Sequence, residues 1–372
     1  MAKKHATKFK ESFAAQPSPA EHFEFSVLEL AMLLGRLHLQ PIAESPLVNI
    51  MPLDASKDAN QAIPHRQREA LERLAHPEIQ LKLVYCTPPE PALIANYYGI
   101  EGDADFVLHD QHIGGTHRLG YPVDAFSLFE TGAAALQLQQ PAETSGFTLV
   151  MDSTAFQAMA GIVDLIQEHT LTRMLERKLP DAELSFTEED IAVCCARSME
   201  TLDNRWMVPR ALLASPLELS FNETDIQQGL EWLSDAGALR KEGRQVGLTS
   251  VFSLVCSRLI SCAGLFAVST RRKTDAQDWL YEHFAGLRCS GSLWQLEFFD
   301  ITASDFKVTL LDITPHMLYG RLNAALFPQT ESRGTTEEPS TETPKQKKCP
   351  QCDAVLKAGN KFCTQCGAAI AS

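Results

Sequence analysis

The chain reads as an α+β protein with a pseudo-duplicated body of antiparallel sheets and packed helices, followed by a tether and a small metal-bound module. Three observations predict this. Short aromatic and β-branched runs separated by turn signals recur in two blocks, the pattern of antiparallel meanders. Segments of helical period flank each block. The last twenty-odd residues carry two Cys-x-x-Cys pairs, Cys349/Cys352 and Cys363/Cys366.

In order, residues 1–20 are lysine-rich with a Pro17-Ser18-Pro19 run and read as disordered. Residues 21–178 form the first α+β half. Phe23 to Leu39 has helical spacing and stops at Pro41; His65 to Ala75 is a second helix ahead of Pro77. Strands are expected over Ile79–Tyr85, Ala92–Tyr98, Asp105–His109, Ala125–Glu130 and Phe147–Met151. A long helix then runs to about Lys178, its seam formed by Phe156, Met159, Val163, Ile166 and Thr170.

Residues 179–328 form the second half. Leu184-Ser185-Phe186-Thr187-Glu188 is echoed by Leu219-Ser220-Phe221-Asn222-Glu223. In each copy a Thr or Asn precedes an acidic first turn, which is how a helix start satisfies its free N–H groups. The second helix is followed by Gly237, a strand, a charged turn at Lys241 to Arg244 and another strand. Over residues 184–250 this order resembles a winged helix. Family members often bind DNA through that second helix, but here it presents Asp225, Glu231 and Asp235 and no Lys or Arg, so a protein-contact or purely structural winged helix is the better expectation. The alternative is a transcription-associated regulator using the winged helix and the zinc ribbon. A helix over Val251–Ile260, strands over Leu265–Thr270, Leu293–Phe299 and Asp305–Asp312, a helix near Ala276–Phe284 and a last helix over His316–Leu326 complete the body.

Leu71-Glu72-Arg73-Leu74-Ala75-His76-Pro77-Glu78, running into an alternating strand and then a meander, resembles the EspG-like chaperones of type VII secretion systems. The resemblance implies a quasi-twofold body that recognises a partner protein without catalysis.

Charge narrows the partner. Glu11 to Pro328 holds 42 acidic and 23 basic residues, a net of −19. Such a body repels phosphate backbones, which makes nucleic acid a poor partner for it and leaves only the lysine-bearing C-terminal module as a place for one. The longest apolar run, Leu259 to Val268, is too short to span a bilayer, and the N-terminus lacks the apolar stretch of a secretory signal, so a cytoplasmic location is expected. Cys86, Cys194, Cys195, Cys256, Cys262 and Cys289 show no disulfide framework and read as buried small hydrophobes.

No phosphate loop, HExxH, nucleophile elbow or dinucleotide fingerprint is present, and a non-enzymatic role is expected. The competing enzyme reading rests on His109, Asp110, His112 and His117, a polar stretch between two strands with residue types suited to a metal or to acid–base work.

Residues 329–346 contain almost nothing apolar and read as a flexible linker. In residues 347–372 the paired Cys-x-x-Cys knuckles offer Cys349, Cys352, Cys363 and Cys366 as four thiolates to one Zn2+. All four ligands come from the protein, so the site is structural, and the segment resembles the short zinc ribbons at the C-termini of many bacterial and archaeal proteins. Its apolar residues, Val355, Leu356, Phe362 and Ile370, are too few for a core, so metal binding supplies most of its stability, on the order of 10 kcal/mol. The purified chain is expected to carry one zinc, and Cys363→Ser to lose it without moving the thermal transition of the body. Retention of stoichiometric zinc by that variant, read by atomic absorption, would sink the assignment.

Overall fold

The computed structural model describes residues 20–53, 62–112, 115–179, 184–274 and 278–327. The expected disordered N-terminus, the linker and the ribbon with its four cysteines lie outside the described residues.

Glu21–Ser26 is strand β1, Val27–Arg36 helix α1 and His65–Ala75 helix α2. A meander follows: β2 (Ile79–Cys86), β3 (Leu93–Gly99), β4 (Asp105–Gln111) and β5 (Thr116–Asp124), then helix α3 (Ala125–Ala135). Next come β6 (Thr148–Asp152) and the long helix α4 (Ser153–Leu175). The middle of the chain is β7 (Ser185–Thr187), α5 (Glu188–Thr201), α6 (Met207–Ala214), α7 (Glu223–Asp235), β8 (Leu239–Glu242), β9 (Gln245–Leu248) and α8 (Ser250–Leu259). A second meander, β10 (Gly264–Lys273), β11 (Trp279–Cys289), β12 (Ser292–Phe299) and β13 (Lys307–Asp312), ends in α9 (Pro315–Leu326).

The two meanders join into one antiparallel sheet in the order β1-β5-β4-β3-β2-β10-β11-β12-β13-β6. The duplication expected from the sequence is therefore visible as topology: a leading strand and helix, a four-strand meander and a closing helix occur twice, meeting where β2 pairs with β10. The repeat begins again at β6, which pairs with β13, rather than after Lys178. Strand β6 and α4 thus stand with the second meander in the sheet, although both precede Lys178.

Four expected elements differ. Residues 23–26 extend β1 instead of opening the helix, because Phe25 faces His117 across the β1–β5 pairing and Ser26 caps α1 in a capping box with Glu29. Ala125–Glu130 is the start of α3, set by Asp124 accepting from the N–H groups of Phe126 and Ser127. Around Ala276–Phe284, residues from Trp279 on are strand β11, buried on both faces over most of its length. The stretch around His117 is not a loop but β5.

Three apolar clusters hold the sheet. Helices α3 and α9 cover one face at its centre, with Phe129, Phe266, Phe284 and Leu318 between them. On the other face α1 and α2 pack on the β4–β5 side through Leu34, Leu71, Leu74 and Leu119. Helices α4 to α8 pack on the β10–β13 side through Phe156, Ile162, Leu230, Trp294 and Phe306. Thr187 and Asn222 cap α5 and α7 as the echoed motifs anticipate. The hairpin β8–β9 pairs through β9 with β7 in a small second sheet. Helix α7 spends its apolar face, Ile226, Leu230 and Leu233, inside the helical bundle. Its outer positions Glu223, Glu231 and Asp235 are exposed carboxylates, and Lys241 of the hairpin is paired with Glu188 at 2.9 Å. Among the described residues no helix is long and apolar enough to cross a membrane.

The α4–α7 contact turns on Gly229. A β-carbon there would stand 2.1 Å from the Thr154 carbonyl oxygen and 2.8 Å from Ala158 Cβ. Alanine gains up to about 1 kcal/mol of helix propensity over glycine, but overpacking costs about 1 to 3 kcal/mol and here meets backbone. Gly229→Ala is expected to destabilise the body by about 1 to 2 kcal/mol in urea unfolding; a neutral or stabilising result would show that the helices separate freely.

Candidate functional site

Strand register across the β2–β10 junction builds the site. On the face shared with the bundle, each strand alternates inward and outward, and residues directly opposed fall into rows. One row runs Ile94, Val84, Ala267, Ala285, Leu296 from β3 to β12 and is apolar. Two residues along, the row is Asn96, Lys82, Ser269, His283, and the next is Tyr98, Gln80, Arg271, Tyr281. The bundle covers the apolar row through Val84, Ala267, Ala285 and Leu296 and, in the next row, only its far end at His283 and Phe298. The remainder of the polar rows, from Asn96, Lys82 and Ser269 to Tyr98, Gln80, Arg271 and Tyr281, is left as the floor of a cleft of ≈ 260 Å³ whose wall includes Ser215 and Pro216, just past the end of α6. Ile94 on one side and Leu280 near the other remain exposed, each at 54%.

Helix α6 is fixed against this floor by three buried polar groups. At its start, Asp164 of α4 accepts from the Met207 N–H and, at 3.0 Å, from the Val208 N–H. Burial raises this carboxyl to about 6 despite those two bonds. In its middle, Arg210 donates to the Cys262 carbonyl at 2.7 Å. At its end, the Ala214 carbonyl lies 2.5 Å from His283 Nε2. A carbonyl only accepts, so Nε2 carries the proton and Nδ1 accepts from Ser269 Oγ, also at 2.5 Å. Phe298 meets the ring edge-on, with centroids 4.8 Å apart. Burial holds His283 down at about 4, aided by Lys82 and opposed by the bond to Ala214.

The rest of the floor is suited to holding a polar chain. Gln80 is tied to the Glu44 carbonyl at 2.7 Å, and Arg271 lies over Trp279 at 5.4 Å. Burial raises the phenols of Tyr98 and Tyr281, which keeps them protonated as hydrogen-bond donors, and Lys82 and Arg271 supply positive charge. A larger cavity of ≈ 520 Å³ lies at the start of α4, lined by Asp152, Asp225, Asp235 and Asp305. Several of its polar groups are spent on one another: Ser153 donates to Asp305 at 2.5 Å, Ser220 to Asp225, and Gln157 accepts from the Phe221 N–H at 2.7 Å.

The sequence candidates at His109–His117 fall on the β4–β5 hairpin. His109 Nε2 and His117 Nδ1 are 2.9 Å apart in a buried stack, with His117 opposite Phe25 of β1 and Tyr98 edge-on to His109. Burial, then the neighbouring imidazole, lowers His109 to about 4, and burial lowers His117. His112 is set apart, its Nε2 3.3 Å from Asp110 without hydrogen-bond geometry. Among the described residues no three His, Cys, Asp or Glu side chains gather as metal ligands, so the grouping pictured for a metal-dependent enzyme is not assembled there. Cys349, Cys352, Cys363 and Cys366 lie outside the described residues. The cleft residues went unmarked in the sequence because lysine, glutamine and arginine at alternating strand positions read as ordinary solvent-facing residues; the one available signal is that polar positions share a face with Val84 and Ala267 further along the same strands.

No family model matches the chain, and neither does any curated protein. Among solved structures it is similar to a chain in the complex of the Mycobacterium tuberculosis type VII secretion system chaperone EspG5 with a PE25-PPE41 dimer. The identity is 12% and the TM-score 0.37, over 82% of this chain and 96% of that one. This is a weak resemblance of fold, and at that distance the cleft itself must carry any argument about function.

His283 gives the cleft wall a pH signature. Its native pKa, about 4, lies below the ordinary 6.5, so the unfolded chain binds the extra proton. The stability it contributes is complete above pH 6.5 and is lost as pH falls toward 4, on the order of 3 kcal/mol in all. Replacing His283 with Gln, which still donates to Ala214, is expected to flatten the fall in unfolding free energy between pH 6.5 and 4 by part of that amount. An unchanged slope would mean that His283 does not titrate with unfolding in this range.

Proposed function

We propose that the chain is a non-enzymatic protein-binding adaptor or chaperone-like protein, and that the central cleft is where the body engages a polypeptide partner. The observation carrying this reading is the pair of polar rows left uncovered at the junction of the two meanders. Tyrosine and arginine are the side chains that dominate binding energy at protein interfaces, and asparagine and serine add adaptable hydrogen bonds. The floor offers Tyr98, Tyr281, Arg271, Asn96 and Ser269 together, with exposed Ile94 as an apolar rim. A polypeptide supplies what these groups want, which is carbonyls and carboxylates for Lys82 and Arg271 and apolar side chains for the rim. Phosphate backbones would meet the net charge of −19 around the cleft and the acidic outer face of α7. The zinc ribbon at Cys349, Cys352, Cys363 and Cys366 is, in this proposal, an auxiliary contact on a tether and not the recognition site.

The test begins with proteins recovered on the intact chain from native cells, followed by affinity measurement with the purified partner. Lys82→Glu combined with Arg271→Glu is expected to weaken binding at least about tenfold, the effect of losing one interface hot spot, while circular dichroism and the thermal transition stay as in the parent. Truncation after Pro328 should leave the same partner bound. If the charge reversal leaves affinity unchanged, the cleft is not the recognition site; if recovery is of nucleic acid and depends on the ribbon, the protein-binding reading fails.

A further inference from the structure

Six cysteines among the described residues are free and buried, and three of them, Cys86, Cys262 and Cys289, feel the charge of one buried cation. Arg210 is only 2% exposed, and its Nε has no hydrogen-bond partner among the described residues. Asp164 is in the same region, but its carboxylate is already engaged by the first N–H groups of α6. A guanidinium buried on these terms favours any neighbour that can ionise. Cys86, Cys262 and Cys289 are those neighbours, and Arg210 is tied to the second of them through its backbone carbonyl at 2.7 Å.

The backbone brings the first two together. Between α8 and β10, the Ala263 N–H donates to the Arg288 carbonyl at 2.7 Å and the Ser290 N–H donates to Ser261 Oγ at 3.0 Å. These bonds clamp Ser261–Ala263 against the end of β11 and set Cys262 beside Cys289. The pair is one layer below the surface: Cys262 is 7% exposed, and Ala263 and Ser290 beside it are exposed.

We propose that Cys262 and Cys289 are a redox-active dithiol, with Cys262 the attacking thiolate held by Arg210 and Cys289 the resolving thiol, closed to a disulfide by hydroperoxides. The Cys289 thiol, then the Arg210 guanidinium, lower Cys262 to about 7 against the opposing effect of burial, while Cys289 is pushed up and keeps its proton. In its thiol form Cys262 donates weakly to the Gly264 carbonyl at 3.4 Å, a contact given up on ionisation. The Cys262 thiolate attacks one peroxide oxygen; the O–O bond breaks, an S–O bond forms, and the departing oxygen takes a proton and leaves as water or an alcohol. Cys289 then attacks the sulfenyl sulfur, loses its proton, and the S–S bond forms as the hydroxyl leaves as water. The peroxide gains the two electrons that the dithiol loses.

The test treats the folded, zinc-loaded chain with one equivalent of hydrogen peroxide, blocks remaining thiols and maps tryptic peptides by mass. The expected result is Leu259–Arg271 joined to Cys289–Lys307 with two hydrogens lost, and no change at Cys194, Cys195 or Cys256. With Cys289→Ser the cross-link is lost and Cys262 stops as a sulfenic acid that dimedone captures; with Cys262→Ser, Cys289 takes up no dimedone. Cys262 and Cys289 both recovered as blocked thiols while the ribbon cysteines oxidise, or Cys262 recovered as a sulfinic acid without cross-link, would overturn the proposal. The parent-chain map decides the matter even where a variant does not fold.

Discussion

The antiparallel pairing of β2 with β10 is the constraint on which the body depends. It joins two five-strand halves of one sheet, from Leu265 opposite Cys86 to Arg272 opposite Ile79. A sheet edge left open at either strand would expose unpaired backbone groups on residues as apolar as Leu83 and Val268. Pairing removes both edges at once and fixes the register. Because side chains alternate with period two, a slip of one residue would turn Phe266 and Val268 away from α3 and α9 and bring Ser269 and Arg271 into that core. The register that buries one face is therefore the register that aligns the polar rows on the other.

Why those rows stay uncovered is a matter of where the helices end. On the cleft face, α1 and α2 pack on the β4–β5 side, and α4 to α8 pack on the second meander and reach across the junction as far as Val84 and Cys86 of β2. The bundle could lean further across only by moving α6, and that helix is held along its length by Asp164, Arg210 and His283. Each of these buried polar groups is bonded to a specific backbone partner, so displacing the helix would break that bond in a desolvated setting at a cost of about 1 to 3 kcal/mol apiece. Buried polar groups used this way set position more than they add stability.

Much of the fold was legible because local signals and tertiary packing agree. The echoed Thr187 and Asn222 motifs cap helices as written, strands form at Ile79–Cys86 and Leu93–Gly99 as expected, and the first of them alternates in burial from Ile79 to Leu83. The failures have common physical causes. Strand β11 is buried on both faces, so its apolar residues do not alternate and mimic a helix; Gly286 within it lies where any β-carbon would come 2.7 Å from Leu136 and 2.8 Å from Leu318. Strand β5 carries Gly120 and Pro122, which locally signal a turn, and it is made a strand by pairing with β1 and β4 on either side. Helix α3 begins with an aromatic run that resembles a strand, and only the Asp124 cap distinguishes it. The histidines were legible as unusual, but their spacing could not reveal that β4 and β5 would set His109 against His117 and leave His112 outside.

The cleft was illegible for a deeper reason. Gln80 and Lys82 come from one half of the chain and Ser269, Arg271 and Tyr281 from the other, and no local pattern links them. Their charge is also hidden in the average: the body from Glu11 to Pro328 is strongly acidic, yet the floor of the cleft carries Lys82 and Arg271. That contrast has a physical consequence. If the cleft takes a polypeptide, as proposed, the acidic surface repels acidic segments while the locally positive recess draws in a carboxylate of the partner, beside tyrosines that can hold the chain that bears it. On that proposal the net acidity that argues against nucleic acid also sharpens the choice of docking position for an acidic segment, because the other positions are repulsive and the recess is not.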